Sequence, residues 1–159
     1  MFEPRAADLD PADLETALVR GAVGDYADEA AILLLINFGH WLVQLPSAGL
    51  ITLVPDREGE GLWAQISWPD LEPALATGLI LGSSGEVRVL RAAASIADGV
   101  LVDLGDLAGS LNRRALALLL AAIAHAAGSH DHRETIYGPD GVAHLGGVLP
   151  ALVPWPMRG

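Results

Sequence analysis

The chain has 159 residues, about the length of one domain, and 52 % of them are hydrophobic, so it is able to bury a sizeable core. It contains no cysteine, which excludes disulfide bonds, thiolate metal sites and a cysteine nucleophile. The net charge is −11, and this acidic balance disfavours nucleic acid as a partner over most of the surface, because phosphate binding depends on clustered cations.

The sequence predicts neither a membrane span nor a secretory signal. The apolar run within residues 110–128 is shorter than the roughly 20 residues that cross a bilayer, and the N-terminal residues are acidic. We therefore expect a cytoplasmic protein with no membrane partner.

Residues 1–24 are predicted to form an acidic arm that packs loosely. Proline and glycine flank one predicted helix over residues 11–19, with Asp10 as its expected cap. Acidic charge is concentrated here, since residues 1–29 hold eight acids and two arginines and so account for −6 of the −11. We interpret these acids as a solvated face, which a basic partner would also fit.

A single α-rich globular domain is expected over residues 25–148, beginning with a helix over residues 25–41 that is capped by its first residue. Strands over residues 50–54 and 62–68 follow, and the polar loop that joins them predicts a hairpin. A short helix ending near residue 76 completes this half of the domain.

Ser83 and Glu86 form the clearest local motif in the chain. A serine three residues before a glutamate predicts a capping box, in which each side chain satisfies a free amide at the start of a helix. This helix is expected to reach about Ala97. An extended piece or short strand at residues 100–102 and a short helix at residues 104–108 are predicted next.

Residues 110–128 are the most strongly predicted helix. Ser110 or Asn112 is placed to cap it, alanine and leucine fill it, and Gly128 is placed to stop it. Apolar residues occupy opposite sides of this helix, so we expect neighbouring elements or a partner chain to bury it, and we predict a homodimer. The predicted self-association residues are Leu116, Leu119, Leu120 and Ile123.

A second hairpin is predicted from strands at residues 134–137 and 142–145, around a Gly-Pro-Asp-Gly turn. Residues 149–159 are predicted to be an extended tail, rich in proline, that packs by its tryptophan. The predicted fold class is therefore mainly α with two small β-hairpins, an α+β fold.

The order of elements over residues 83–145, helices followed by a hairpin, resembles a winged helix-turn-helix. This winged-helix resemblance implies a reading helix in the DNA major groove and a wing beside it. The implied DNA contacts are Asn112, Arg113 and Arg114 on the helix and Arg133 on the wing. The rest of the reading helix is alanine and leucine, and the region has no basic patch, so the pattern favours association over DNA binding.

The chain from about residue 25 also resembles a group of small actinobacterial proteins of unknown function. The stretches that carry this resemblance are residues 39–42, 83–95 and 111–128. Because no activity is known for that group, the resemblance implies no site residue.

The polar segment after the central helix holds a candidate metal site. His130, Asp131 and His132 offer nitrogen and oxygen ligands for zinc or another divalent ion, if His144 or Glu134 joins them from the hairpin. A solvated loop is the favoured interpretation, so we expect no cofactor, with zinc as the alternative.

No catalytic signature is present in the sequence. The first hypothesis is a non-enzymatic protein-interaction or regulatory module that self-associates through its apolar helices and offers an acidic surface to a protein partner. The alternatives are a winged-helix transcriptional regulator and a metal-dependent enzyme that uses the His-Asp-His cluster. His125, on the central helix, is interpreted as a partly buried histidine that makes one hydrogen bond.

Overall fold

The structure is a computed structural model that describes residues 4–55, 58–59 and 61–158. These residues form six α-helices and two antiparallel hairpins, which confirms the predicted α+β fold that is mainly α. The helices are α1 (Pro11–Ala22), α2 (Tyr26–Phe38), α3 (Leu71–Ala76), α4 (Ser84–Asp98), α5 (Leu104–Ser110) and α6 (Arg113–Ala126). The strands are β1 (Ile51–Pro55), β2 (Leu62–Ile66), β3 (Arg133–Tyr137) and β4 (Ala143–Val148).

Side-chain caps fix the starts of the main helices. The Asp25 carboxylate accepts two backbone amides at the start of α2, and the Asn112 side chain accepts one at the start of α6. Ser83 and Glu86 form the predicted capping box at α4, with both reciprocal hydrogen bonds present. Asp10 precedes α1 as expected, but its side chain makes no capping hydrogen bond.

Two helix ends differ from the prediction by three residues, since α1 continues to Ala22 rather than residue 19 and α2 stops short of residue 41. α2 ends at Phe38 because Gly39 adopts the left-handed conformation, with φ +92°, and the chain then enters a 3₁₀ turn at Trp41–Val43. The central helix begins at Arg113 with Asn112 as its cap, which is one of the two predicted alternatives, and Ser110 is the last residue of α5. Residues 100–102 form no strand and connect α4 to α5.

α2 is the centre of the core. It packs against α6, α4 and α1, so the helix predicted over residues 110–128 is one of its neighbours. α6 buries one side in the core and leaves Leu120 and Ile123 exposed, so the fold does not cover the helix on every side. The buried residues of α6 are Ala115, Leu118, Leu119, Ala121, Ala122 and Ala124.

α1 packs against both α2 and β2. Its Leu14 and Leu18 are buried in the same core as the other helices. The two backbones come close at Gly21, where an added Cβ would collide with the carbonyl oxygen of Ala64 in β2. This packing is closer than the loose association expected of residues 1–24, and the boundary at residue 24 stays a prediction.

The two hairpins have opposite environments. In the first, Ile51 pairs with Ile66 and both side chains are buried. In the second, Thr135 pairs with Leu145, and every residue of β3 and β4 except Gly146 is exposed. The second hairpin therefore adds almost nothing to the core.

The C-terminal tail runs back over the helices. The Leu149 amide donates to the carbonyl oxygen of His132 at 2.7 Å, and the Leu152 amide donates to the Ser129 hydroxyl at 3.2 Å. Trp155 packs against the core, as predicted for the tryptophan of this tail. Among the described residues, no helix has the length and apolar character needed to cross a membrane.

Candidate functional site

The second hairpin presents apolar side chains to solvent on both of its faces. Tyr137 is 71 % exposed and Leu145 is 72 % exposed. Cross-strand partners share a face, so Leu145 lies with Thr135 on one face, and Ile136 lies with His144 on the other. We name the exposed apolar residues of this region the hairpin surface. It consists of Ile136, Tyr137, Val142, Leu145 and Val148.

The fold divides the predicted self-association residues of α6. Leu119 is buried in the core, and Leu116 is half-buried. Leu120 and Ile123 are exposed, at 45 % and 44 %. Two of the four predicted residues are therefore accessible to a partner, and no pattern within the helix could indicate which two, because α6 is apolar on opposite sides.

Charge is distributed unevenly between the two parts of the chain. Residues 113–158 hold four arginines and three acids, for a net charge of +1. Residues 1–112 hold five arginines and seventeen acids, for a net charge of −12. The segment that contains the hairpin surface is therefore close to neutral, whereas the rest of the chain is strongly acidic.

Arg114, one of the predicted DNA contacts, is engaged within the protein. Its guanidinium donates to the carbonyl oxygen of Asn37 at 2.7 Å and lies 5.8 Å from the centre of the Phe38 ring. These contacts hold the start of α6 against the end of α2, where a cation meets the negative end of the helix dipole.

The other predicted DNA contacts include two more residues with internal hydrogen bonds. Arg133 donates through Nε to the carbonyl oxygen of Gly146 across the second hairpin, at 2.8 Å. The Asn112 side chain accepts the amide of Ala115 at 2.8 Å. Arg113 is exposed. A DNA-binding role for this set stays a prediction.

A cluster of two histidines and a glutamate lies where three elements meet. Glu29 comes from the first turn of α2, His125 from the last turn of α6, and His130 from the 3₁₀ turn Ser129–Asp131. One ligand atom from each residue lies within 4.8 Å of the other two. His125 Nε2 is 3.0 Å from Glu29 Oε1, and these two side chains are only 14 % and 22 % exposed. We name these three residues the Glu-His-His cluster.

The two histidine rings of this cluster are stacked. The centres of the His125 and His130 rings are 4.1 Å apart, and the angle between their planes is 17°. His130 Nδ1 is buried and has no hydrogen-bond partner among the described residues. A buried polar atom without a partner is uncommon in folded proteins.

Aromatic and polar groups surround the cluster. Tyr26 meets the His130 ring edge-on at 4.8 Å, and its hydroxyl donates to Asp131 Oδ2 at 2.6 Å. This hydrogen bond is the main reason that the pKa of Tyr26 is raised, since the carboxylate accepts only from the protonated phenol. Trp155 lies 6.1 Å from His125, and the Gly24 amide donates to the second oxygen of the glutamate at 3.2 Å.

The structure groups these residues differently from the sequence prediction. Of His130, Asp131 and His132, only His130 belongs to the cluster, because Asp131 pairs with Tyr26 and His132 is exposed. The other two proposed ligands, His144 and Glu134, are exposed on the second hairpin.

Sequence reasoning missed Glu29, because 96 positions separate it from His125 and only tertiary packing brings them together. His125 is partly buried with a hydrogen bond, as the sequence predicted. The one local signal for its role in the cluster was the presence of His130 just beyond the end of the same helix.

A cleft of about 580 Å³ lies between α4 and α5, and ion pairs line it. Arg88 Nε is 2.8 Å from Asp106 Oδ2, and Arg91 Nε is 2.6 Å from Glu72 Oε1. These hydrogen bonds lower the pKa of both Asp106 and Glu72, because a guanidinium stabilises the charged carboxylate. Both arginines are thus neutralised by neighbours in the cleft.

No protein-family model matches this chain, and the comparisons with curated proteins and with solved structures found no significant match. The hairpin surface and the Glu-His-His cluster are therefore the features of the molecule that point to a function.

Proposed function

We propose that this protein is a non-enzymatic interaction module that forms a homodimer, in which the hairpin surface of each chain packs against the other chain. The observation that carries the proposal is the exposure of both faces of β3–β4. An isolated two-stranded hairpin is at best marginally stable in water, so an apolar hairpin outside the core needs cover from elsewhere.

Charge favours a second copy of the chain as that cover. A partner must approach a surface within residues 113–158, which are close to neutral, while the rest of the chain is strongly acidic. Two copies that meet through their near-neutral segments keep their acidic segments apart, which limits the electrostatic cost of association. Leu120 and Ile123 on α6 add exposed apolar area in the same segment.

The acidic remainder of the surface would stay exposed in such a dimer. It offers a basic protein partner a docking face, in agreement with the role predicted for the acids of residues 1–29. We also propose, as the sequence leads us to expect, that the protein acts in the cytoplasm.

Sedimentation equilibrium over a range of protein concentrations tests the proposal. We expect a mass that approaches twice that of one chain as the concentration rises. Leu145→Asp places a charge on the hairpin surface and should weaken dimerisation by about 30-fold or more, as for a central interface residue.

The matched control is Leu101→Asp, because Leu101 is 97 % exposed and lies in the connection between α4 and α5. This control should leave the dimer intact. A wild-type protein that stays monomeric at every concentration, or an equal loss of dimer in both variants, would contradict the proposal.

A further inference from the structure

We propose that the Glu-His-His cluster binds a divalent transition-metal cation of the Zn²⁺ type. Two imidazole nitrogens and one carboxylate oxygen are ligands that Zn²⁺ and its neighbours in the first transition series favour. The three side chains come from α2, α6 and the turn after α6, so the folded core holds their backbones in place. A fourth position remains for water or another ligand.

The spacing of Glu29 and His125 already suits one ion. Two ligands at about 2.1 Å from a tetrahedral zinc lie about 3.4 Å apart. Glu29 Oε1 and His125 Nε2 are 3.0 Å apart. The backbone of α2 and that of α6 therefore need no large shift for these two side chains to share a cation.

His130 supplies the third ligand by turning its ring. An imidazole lone pair lies in the plane of its ring, so two stacked rings cannot both direct a nitrogen at one ion. Its Nδ1 atom is buried and has no hydrogen bond among the described residues to hold the ring in its present orientation. Coordination would give a nitrogen of this ring the partner that the structure does not provide, at the cost of the stack with His125.

The surrounding charges favour a cation at this position. His125 lies in the last turn of α6, where the helix dipole presents its negative end. Asp131, the next residue after His130, adds a second negative charge, and its carboxylate accepts a hydrogen bond from Tyr26, whose ring meets that of His130. The Gly24 amide holds Glu29 Oε2, which leaves Oε1 directed at His125, and an outer hydrogen bond of this kind is typical of a metal-binding carboxylate.

Calorimetric titration of the full chain with Zn²⁺, after treatment with a chelator, tests the site. We expect one Zn²⁺ per chain. His125→Gln and His130→Gln should each weaken the affinity by more than about tenfold, because loss of a ligand costs more than loss of a group that only orients one. The control His132→Gln removes an exposed neighbouring histidine and should leave the affinity unchanged. Circular dichroism checks that each variant is folded.

The imidazole nitrogen resonances of the wild-type protein give a second readout that needs no variant. We expect added Zn²⁺ to shift the nitrogen signals of His125 and His130 and to leave those of His132 and His144 in place. Absence of Zn²⁺ binding by the wild type would overturn the proposal. Shifts confined to His132 and His144, or an equal loss of affinity in His132→Gln and His130→Gln, would overturn it as well.

Discussion

The two hairpins are built alike and are used differently. Each has two antiparallel strands of five or six residues, and each carries branched or aromatic side chains. The first lies under α1 and buries Ile51, Ala64 and Ile66, whereas β3 of the second has no buried residue. Secondary structure alone therefore does not reveal whether a hairpin belongs to the core or lies exposed on the surface.

The difference between them arises from the chain that flanks each hairpin. α1 precedes the first hairpin and carries Gly21, which allows the helix backbone to approach β2 closely. The second hairpin follows α6, and no helix covers either of its faces among the described residues. The first hairpin is part of the core because α1 covers it. The second hairpin has no such cover within the described part of the chain and stays exposed.

Amide hydrogen exchange should show the largest difference between the hairpins. At low protein concentration, we expect β1–β2 to exchange only through global unfolding and β3–β4 to exchange through local opening. Because local opening costs little while global unfolding costs about 5 kcal/mol or more, the protection factors should differ by about 10³-fold or more. Mass spectrometry of the exchanged protein measures both.

The same exchange measurement at high protein concentration tests whether the hairpin surface becomes covered. The proposed dimer should slow exchange in β3–β4 and leave β1–β2 unchanged. Equal protection of the two hairpins at low concentration would show that β3–β4 is stabilised within one chain, in conflict with its exposure.

Truncation of one isoleucine in each hairpin should separate their contributions to folding. Ile66→Ala removes a buried side chain and leaves a cavity, so we expect the free energy of unfolding to fall by about 2–4 kcal/mol. Ile136→Ala trims a side chain that is 48 % exposed and should cost less than about 1 kcal/mol. Urea denaturation at low protein concentration measures the free energy of unfolding of both variants. Similar losses of stability would contradict the conclusion that only the first hairpin belongs to the core.

Replacing one glycine by alanine near each hairpin should show the same difference in stability between the two hairpins, on a smaller scale. Gly21→Ala gains helix propensity, but its Cβ meets the carbonyl oxygen of Ala64, so we expect a net destabilisation of about 1–2 kcal/mol. Gly147→Ala, in β4, has no atom within 4 Å of the new Cβ and should be neutral or slightly stabilising. Thermal denaturation compares them, and a stable Gly21→Ala protein would mean that α1 is able to move away from β2.

The smallest expected effect concerns the ion pair that links α3, just after the first hairpin, to α4. Arg91 lowers the pKa of Glu72 by donating to its carboxylate, so the stabilisation is present above the unfolded-state pKa and is lost as the pH falls through the folded-state pKa. The pair is about half exposed, and we expect Glu72→Gln to cost about 0.2–1 kcal/mol at pH 7.

Melting temperatures of wild type and Glu72→Gln at several pH values test this sign. The two should converge as the pH falls below the ordinary glutamate value of about 4.5. A difference that grows at low pH would show that the charged carboxylate does not stabilise the fold.

Local chemistry in the sequence predicted the elements well. The capping box of Ser83 and Glu86 forms as predicted, because its hydrogen bonds depend only on neighbours in the chain. The predicted end of α2 lies three residues beyond the observed one, since Gly39 ends the helix although apolar residues continue beyond it. The type of an element depends on short-range forces. Its exact end depends on which local signal prevails, here the glycine that stops a helix or the apolar residues that would continue it.

The candidate sites depend on packing and were less accessible to prediction. Leu119 and Leu120 are adjacent leucines, yet the fold buries the first and exposes the second. The Glu-His-His cluster needs α2 beside α6, and the sequence contains no periodicity that specifies this pairing. The sequence does indicate His130, because it lies in a polar segment rich in possible ligands. It does not indicate that Glu29 and His125 are the residues beside it.

The central contact between α2 and α6 also has a consequence for the newly made chain. α2 is complete at residue 38, but α6 is complete only at residue 126, which is 88 residues later. At about 5–20 residues per second, a ribosome needs about 4–18 s to make that interval. The apolar side of α2 that α6 later covers stays exposed for this time, so the nascent chain offers a binding site to chaperones before its hairpin surface has been made.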